Sequence, residues 1–315
     1  MARGISRWEV PLTTLAAAIA LSLPYLSAQQ PFSSNTSLVV VPVVVVDNKG
    51  KAVADLAQSD FTVFEDGKPV EIQTFLAPSA NGVTGEGGRF IVVVLDNILT
   101  RTEIGFRVKA IAQRFVDRLQ PGDVMTVIPI NAGTAVTTAS KEALKAAIDR
   151  FRPRFGEDTW ERGDKADHGL RMLGELSDQA AKVAHRRKVF VLIGDAALFS
   201  PSRRSAFDDR ANDLSPEWAE AIRKTSRNNI SVYSIDPEGI EGGVADWSHS
   251  FMAETGGRAW SGTNDYSSAA DRILEESARY YLIGYAAPIN DQRLHRIEVK
   301  VSKKGVTVRA RRARG

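Results

Sequence analysis

Apolar residues in this chain fall into short continuous runs separated by helical patterns. The clearest run is Phe90-Ile-Val-Val-Val-Leu95, which leads without a break into Asp96-Asn97-Ile98-Leu99-Thr100. A β-branched run of this length followed by a helical pattern predicts a strand buried on both faces of a parallel sheet. A second run, Lys188-Val-Phe-Val-Leu-Ile-Gly-Asp195, repeats the pattern and also ends on an acid. Between and after them lie predicted helices over 103–119, 141–151, 166–183, 216–227, 247–255 and 266–279, and strands over 124–130, 230–235, 257–260 and 280–285. Strands that alternate with helices predict a doubly wound α/β fold with a mostly parallel sheet and right-handed crossovers.

The two flanks read differently. Residues 38–47 and 60–75 form short apolar or alternating runs separated by Asn48-Lys49-Gly50 and Glu65-Asp66-Gly67, the signature of antiparallel hairpins. At the other end, 294–301 and 306–309 alternate strictly around Ser302-Lys-Lys-Gly305 and predict one more hairpin. A lone two-stranded hairpin is marginal in water, so this one is expected to pack on the N-terminal strands. The resulting division is 29–76 as a small β module, 77–88 as a Gly-rich linker, 89–286 as the α/β domain, and 287–315 as the hairpin with a basic tail.

The first 28 residues carry Arg3 and Arg7, then a short apolar stretch, then Leu26-Ser27-Ala28. These are the parts of a secretory signal peptide cut after Ala28, and the apolar stretch is short for a spanning helix. The expected locations are therefore the periplasm, the envelope or the exterior. There is no Cys, so neither a disulfide nor a thiol nucleophile is available. Net charge is +3, but residues 303–314 hold six basic residues and no acid, which leaves the rest of the chain net acidic. A nucleic-acid groove across the body is poorly supported by that distribution. The tail itself reads as a solvated end.

In an open parallel sheet, ligands sit outside the carboxyl ends of the strands, where Asp96, Thr100 and Asp195 are placed. Two carboxylates and a hydroxyl at one edge suit a hard cation such as Mg²⁺. Each also has a plainer role. Asp96 can accept N–H groups of the following turn, and Thr100 with Glu103 can form a capping box.

Asp96-Asn-Ile-Leu-Thr100 resembles the metal-ion-dependent adhesion site of the von Willebrand factor type A family, Asp-x-Ser-x-Ser, with Ile98 where the first hydroxyl stands. The flanking Asp60-Phe-Thr-Val-Phe-Glu-Asp-Gly67 and Tyr280-Tyr-Leu-Ile-Gly-Tyr285 are similar to a secreted subfamily of type A proteins abundant in Acidobacteria. The resemblance implies an adhesion or protein-binding domain, with Mg²⁺ in members that keep the whole motif. It places a third metal element on Asp164 or on the nearby Thr159. With Ile98 in the ligand loop, divalent binding is expected to be weak or absent, and Ile98→Ser to strengthen it. The alternatives are a structural component of the cell envelope without metal, and metal-assisted hydrolysis at Asp96 and Asp195. No general base accompanies those acids, and none of the common hydrolase or nucleotide motifs occurs, so the chain is expected not to be an enzyme. The four histidines, at 168, 185, 249 and 295, are scattered.

Overall fold

The computed structural model describes residues 36–78, 88–131, 133–156, 162–183, 187–199, 215–241, 246–288 and 293–315. The proposed signal peptide, most of the linker, Thr159 and His185 lie outside the described residues. So do residues 200–214. Strands and helices are numbered in chain order.

The chain enters through β1 (Thr36–Asp47), β2 (Phe61–Glu65), β3 (Lys68–Val70) and β4 (Thr74–Leu76). The Asp66-Gly67 turn between β2 and β3 has both residues in the left-handed region, at φ 49° and 76°. That is the conformation an Asp-Gly hairpin turn requires.

The α/β body follows. β5 (Arg89–Leu95) is buried throughout and lies parallel between β6 (Val124–Pro129) and β8 (Arg187–Ile193). β9 (Ile230–Ile235) and β10 (Ala259–Trp260) extend the sheet beyond β8, and β7 (Val136–Thr138), a strand not anticipated from sequence, closes the other edge antiparallel to β6. The order is β10-β9-β8-β5-β6-β7. Alternate side chains of β5 enter different layers. Ile91, Val93 and Leu95 pack with α1 (Gly105–Asp117), α2 (Lys141–Asp149) and α6 (Tyr266–Ala278). Phe90, Val92 and Val94 pack with α3 (Arg162–Ala181), α4 (Pro216–Arg227) and α5 (Asp246–Glu254). The continuous apolar reading of this strand follows from having a helical layer on each face.

The chain ends in β11 (Tyr281–Pro288), β12 (His295–Val301), β13 (Val306–Ala310) and β14 (Ala313–Arg314). β11, expected to close the α/β body, pairs instead with β1 and β4. The predicted hairpin is also corrected. β13 pairs with β1 and β12 with β2, so the Ser302–Gly305 turn carries the chain from one four-stranded sheet, β14-β12-β2-β3, to the other, β13-β1-β11-β4. Both strands present their apolar side to one shared core of Val41, Val43, Phe61, Val63, Tyr281 and Ile297. Alternation alone does not distinguish such a crossing from a hairpin. The basic tail is solvated only in part: Lys303, Lys304 and Arg312 are exposed, but Arg311 and Arg314 are buried, and β14 pairs with β12. The fork of Arg314 holds Glu65 at 2.6 and 2.9 Å. From Thr36 to Gly315 the chain forms one compact unit, and no described helix is long and apolar enough to cross a membrane.

Candidate functional site at the carboxyl ends of the strands

The strand order places the site. The connection leaving β5 leads to β6 on one side, whereas β8 lies on the other side of β5 and its connection leads outward to β9. This is the topological switch point, and a crevice is expected between the ends of β5 and β8. Asp96 and Asp195 stand at those two ends.

Asp96 is fully buried. Its Oδ1 accepts the backbone N–H of Ile98 at 2.9 Å and of Leu99 at 2.8 Å, and its Oδ2 accepts that of Asp195 at 3.1 Å. The carboxylate therefore shapes its own turn and also clamps the neighbouring strand end. Gly194 makes the approach possible, since a Cβ there would lie 2.0 Å from Asp96 Cβ. Burial pushes the Asp96 carboxyl up to about 6 against the pull of those three N–H groups, with the charge of Asp195 adding to the rise. Asp195, half-buried, caps the short helical turn after β8 by accepting the N–H of Ala197 at 2.8 Å.

A third acid completes the row. β9 ends in Asp236, whose Oδ1 accepts the N–H of Glu238 at 2.8 Å. Burial raises its pKa to about 6, opposed by that N–H and reinforced by Asp195, Glu238 and Asp96. The rule that selects Asp96 and Asp195, a buried run ending on an acid, applies equally to Ile230–Ile235 followed by Asp236. The signal was present in the sequence.

The remaining expected site residues do not all converge. Thr100 is buried, and its hydroxyl has no hydrogen-bond partner among the described residues. The capping box with Glu103 is not formed: Arg101 occupies the N-cap of the following 3₁₀ turn, without a side-chain cap. Asp164 opens α3 and is exposed. Its neighbour Lys165 is buried instead and points its ammonium at the Ile98 carbonyl, 3.5 Å away. Ile98 is itself fully buried in the layer beneath α3 and α4.

The orphaned Thr100 hydroxyl is the feature that invites a ligand. The donor set as a whole does not fit a dedicated Mg²⁺ site, which demands near-octahedral oxygen ligation. Both Asp96 oxygens already accept backbone N–H groups, Ile98 offers no oxygen, and an ammonium lies against the loop. Among the described residues no group of three or more His, Asp or Glu side chains is arranged to hold a metal.

The rim is apolar in places. Phe106, Phe155 and Ile240 are 67%, 52% and 70% exposed, three of the five large apolar side chains that reach solvent among the described residues. They stand on segments tied to one another and to the Asp96 loop. Arg154 N–H donates to Asn97 O at 2.6 Å, Gly105 is seated against Pro153, and Arg107 donates to the carbonyl of Pro237 at 3.2 Å. Asn97 binds Asn131 through both ends of its amide, at 2.6 and 2.9 Å, and so fastens the end of β5 to that of β6. His168 meets the Ile130 carbonyl at 3.3 Å, and His295 pairs with Asp66 at 2.8 Å in the terminal strands.

No protein-family model matches the chain, and no curated protein matches it. Among solved structures, a manganese-loaded TRAP protein from Plasmodium vivax aligns over 80% of this chain and 97% of its own length, at 10% identity and a TM-score of 0.37. The chain is a mixed α/β protein with a six-stranded, mostly parallel sheet.

Proposed function

We propose that this is an exported protein-binding module of the von Willebrand factor A type, which engages a partner protein through the strand-end face around Asp96 and needs no metal to do so. The observation that carries this reading is the exposure of Phe106, Phe155 and Ile240 on segments tied to one another and to the Asp96 loop. Exposed aromatic and large aliphatic side chains beside desolvated polar groups are the usual anchors of a protein interface. Asp195 and Asp236 lie partly open between them and favour a basic side chain on the partner. A catalytic role has less support. Asp96, Asp195 and Asp236 accept backbone N–H groups, and their geometry reads as turn-building.

The test is site-specific photo-crosslinking in the cells that produce the protein, with the probe at position 106 or 240 and a control at Leu76, an exposed apolar residue on β4. A discrete protein adduct from 106 and 240, absent from 76, supports the proposal. The same adducts at all three positions, or none at any, would refute it.

A further inference from the structure

At the amino-terminal edge of the parallel sheet, opposite the Asp96 face, lies a cavity of about 1140 Å³. The start of β8, the last turn of α4, the first residues of β1 and the end of the chain enclose it. Its charge is lopsided. Lys188, Arg223, Arg227, Arg311 and Arg314 line it, against the Glu220 side chain and the carboxylate of Gly315.

Two of these cations are already spoken for. Arg223 pairs with Glu220 at 2.9 Å, and Arg314 with Glu65 at 2.6 Å. Three have no carboxylate partner among the described residues. Lys188 has burial as the sole cause of a lowered pKa. Arg227 sits in the last turn of α4, where it complements the helix dipole. Arg311, 6% exposed, donates through Nη1 to the Ser226 carbonyl but leaves its buried Nε with no partner. Burial drives Arg311 down to about 10, and the like charges of Arg314 and Arg187 add to the effect. A buried guanidinium without a counter-charge is costly, and an anion in the cavity would offset that cost. The dipole of α4 accounts for Arg227 and the Ser226 carbonyl for one nitrogen of Arg311. Neither accounts for Lys188 or for Arg311 Nε.

The opposite wall is apolar, formed by Leu38, Val39, Val40 and Pro288, with Leu38 49% exposed. The volume lies just above the usual range of small-molecule pockets and is far too large for a lone oxyanion. We propose that this cavity binds a small ligand bearing a terminal phosphomonoester, with the phosphate held by Lys188, Arg227 and Arg311 and an apolar portion laid against Leu38 and Pro288. Guanidinium and ammonium donors around one group suit a phosphate's several acceptor oxygens. The site is separate from the strand-end face and does not depend on that face binding a protein.

The experiment is calorimetric titration of the whole chain at low salt with inorganic phosphate, dihexanoyl phosphatidic acid and dihexanoyl phosphatidylcholine. Lys188→Met and Arg227→Gln are the test variants, since neither residue makes an ion pair that folding would miss. The expected result is binding of the phosphatidic acid, no binding of the choline compound, and about a tenfold or greater loss of affinity in each variant with the unliganded melting temperature unchanged. Equal affinity for inorganic phosphate would overturn the apolar contact with Leu38 and Pro288 and reduce the site to one for a free phosphate. The proposal is overturned if none of the three probes binds, or if the double variant binds as the unmodified protein does.

Discussion

The backbone N–H of Asp195 donates to Asp96 Oδ2 at 3.1 Å, joining the ends of β5 and β8 across the point where the sheet reverses its winding. Gly194 permits this, because any side chain there would drive into Asp96. Gly194→Ala is expected to cost about 1–3 kcal/mol through overpacking against a buried side chain with no room to move. Urea unfolding measures it. Stability equal to that of the unmodified protein would show that the strand ends are not held this closely.

Asp236 supplies a pH signature. Its carboxyl titrates near 6 in the folded protein, against an ordinary value of 3.8. The folded state thus holds this proton more tightly than the unfolded chain does. The stability Asp236 contributes is complete below about 3.8 and is lost as pH rises through about 6. Asp236→Asn keeps the acceptor for the Glu238 N–H and removes the charge. Its stability relative to the unmodified protein is therefore expected to grow from pH 4 to pH 6.5, by about 1–2 kcal/mol once partial exposure is discounted. A difference independent of pH would place the carboxyl at an ordinary pKa.

Ile98 bears on the metal question. The sequence invites Ile98→Ser as a repair of the adhesion motif, yet Ile98 is fully buried beneath α3 and α4. The substitution is expected to cost about 2–4 kcal/mol for the cavity and the buried hydroxyl, with no gain in affinity for Mg²⁺ or Mn²⁺. Calorimetric titration of both proteins with each ion checks this. Tight binding by the unmodified protein, or a clear gain in the variant, would show that the loop does adopt the adhesion-site geometry.

Arg314 ties the end of the chain into the fold. It forms a two-pronged pair with Glu65, whose Oε2 also accepts the Tyr285 hydroxyl. Arg314 draws the Glu65 carboxyl down, against burial, which on its own would raise it. Arg314→Ala leaves a largely buried carboxylate without its cation and is expected to lower stability by about 3–5 kcal/mol. Thermal unfolding with and without the substitution reads this directly, and an unchanged melting temperature would return the tail to solvent.

The alternation of strands and helices, the buried character of β5 and β8 and the two acids at their ends were legible because each depends on local pattern alone. The sheet to which β11, β12 and β13 belong was not. An alternating strand records that one face is buried and says nothing of which neighbour it pairs with, so Leu294–Arg309 read as a hairpin although its halves lie in different sheets. Burial of Arg311 and Arg314 escaped for a similar reason: a run of arginines reads as solvated until a distant Glu65 and a carbonyl at Ser226 are known to await them. Lys165 was hidden behind Asp164, because only the phase of α3 decides which of the two neighbours faces the Ile98 loop.

The strand-end face is proposed to be a protein-binding surface. With the partner identified by crosslinking, its affinity for the unmodified protein and for Phe106→Asp, Phe155→Asp and Ile240→Asp, measured with and without a chelator, is the decisive measurement. At least one rim substitution is predicted to weaken binding about thirtyfold or more, the scale of an interface anchor, while the chelator changes nothing. Undiminished affinity in all three variants, or loss of binding on chelation, would contradict it.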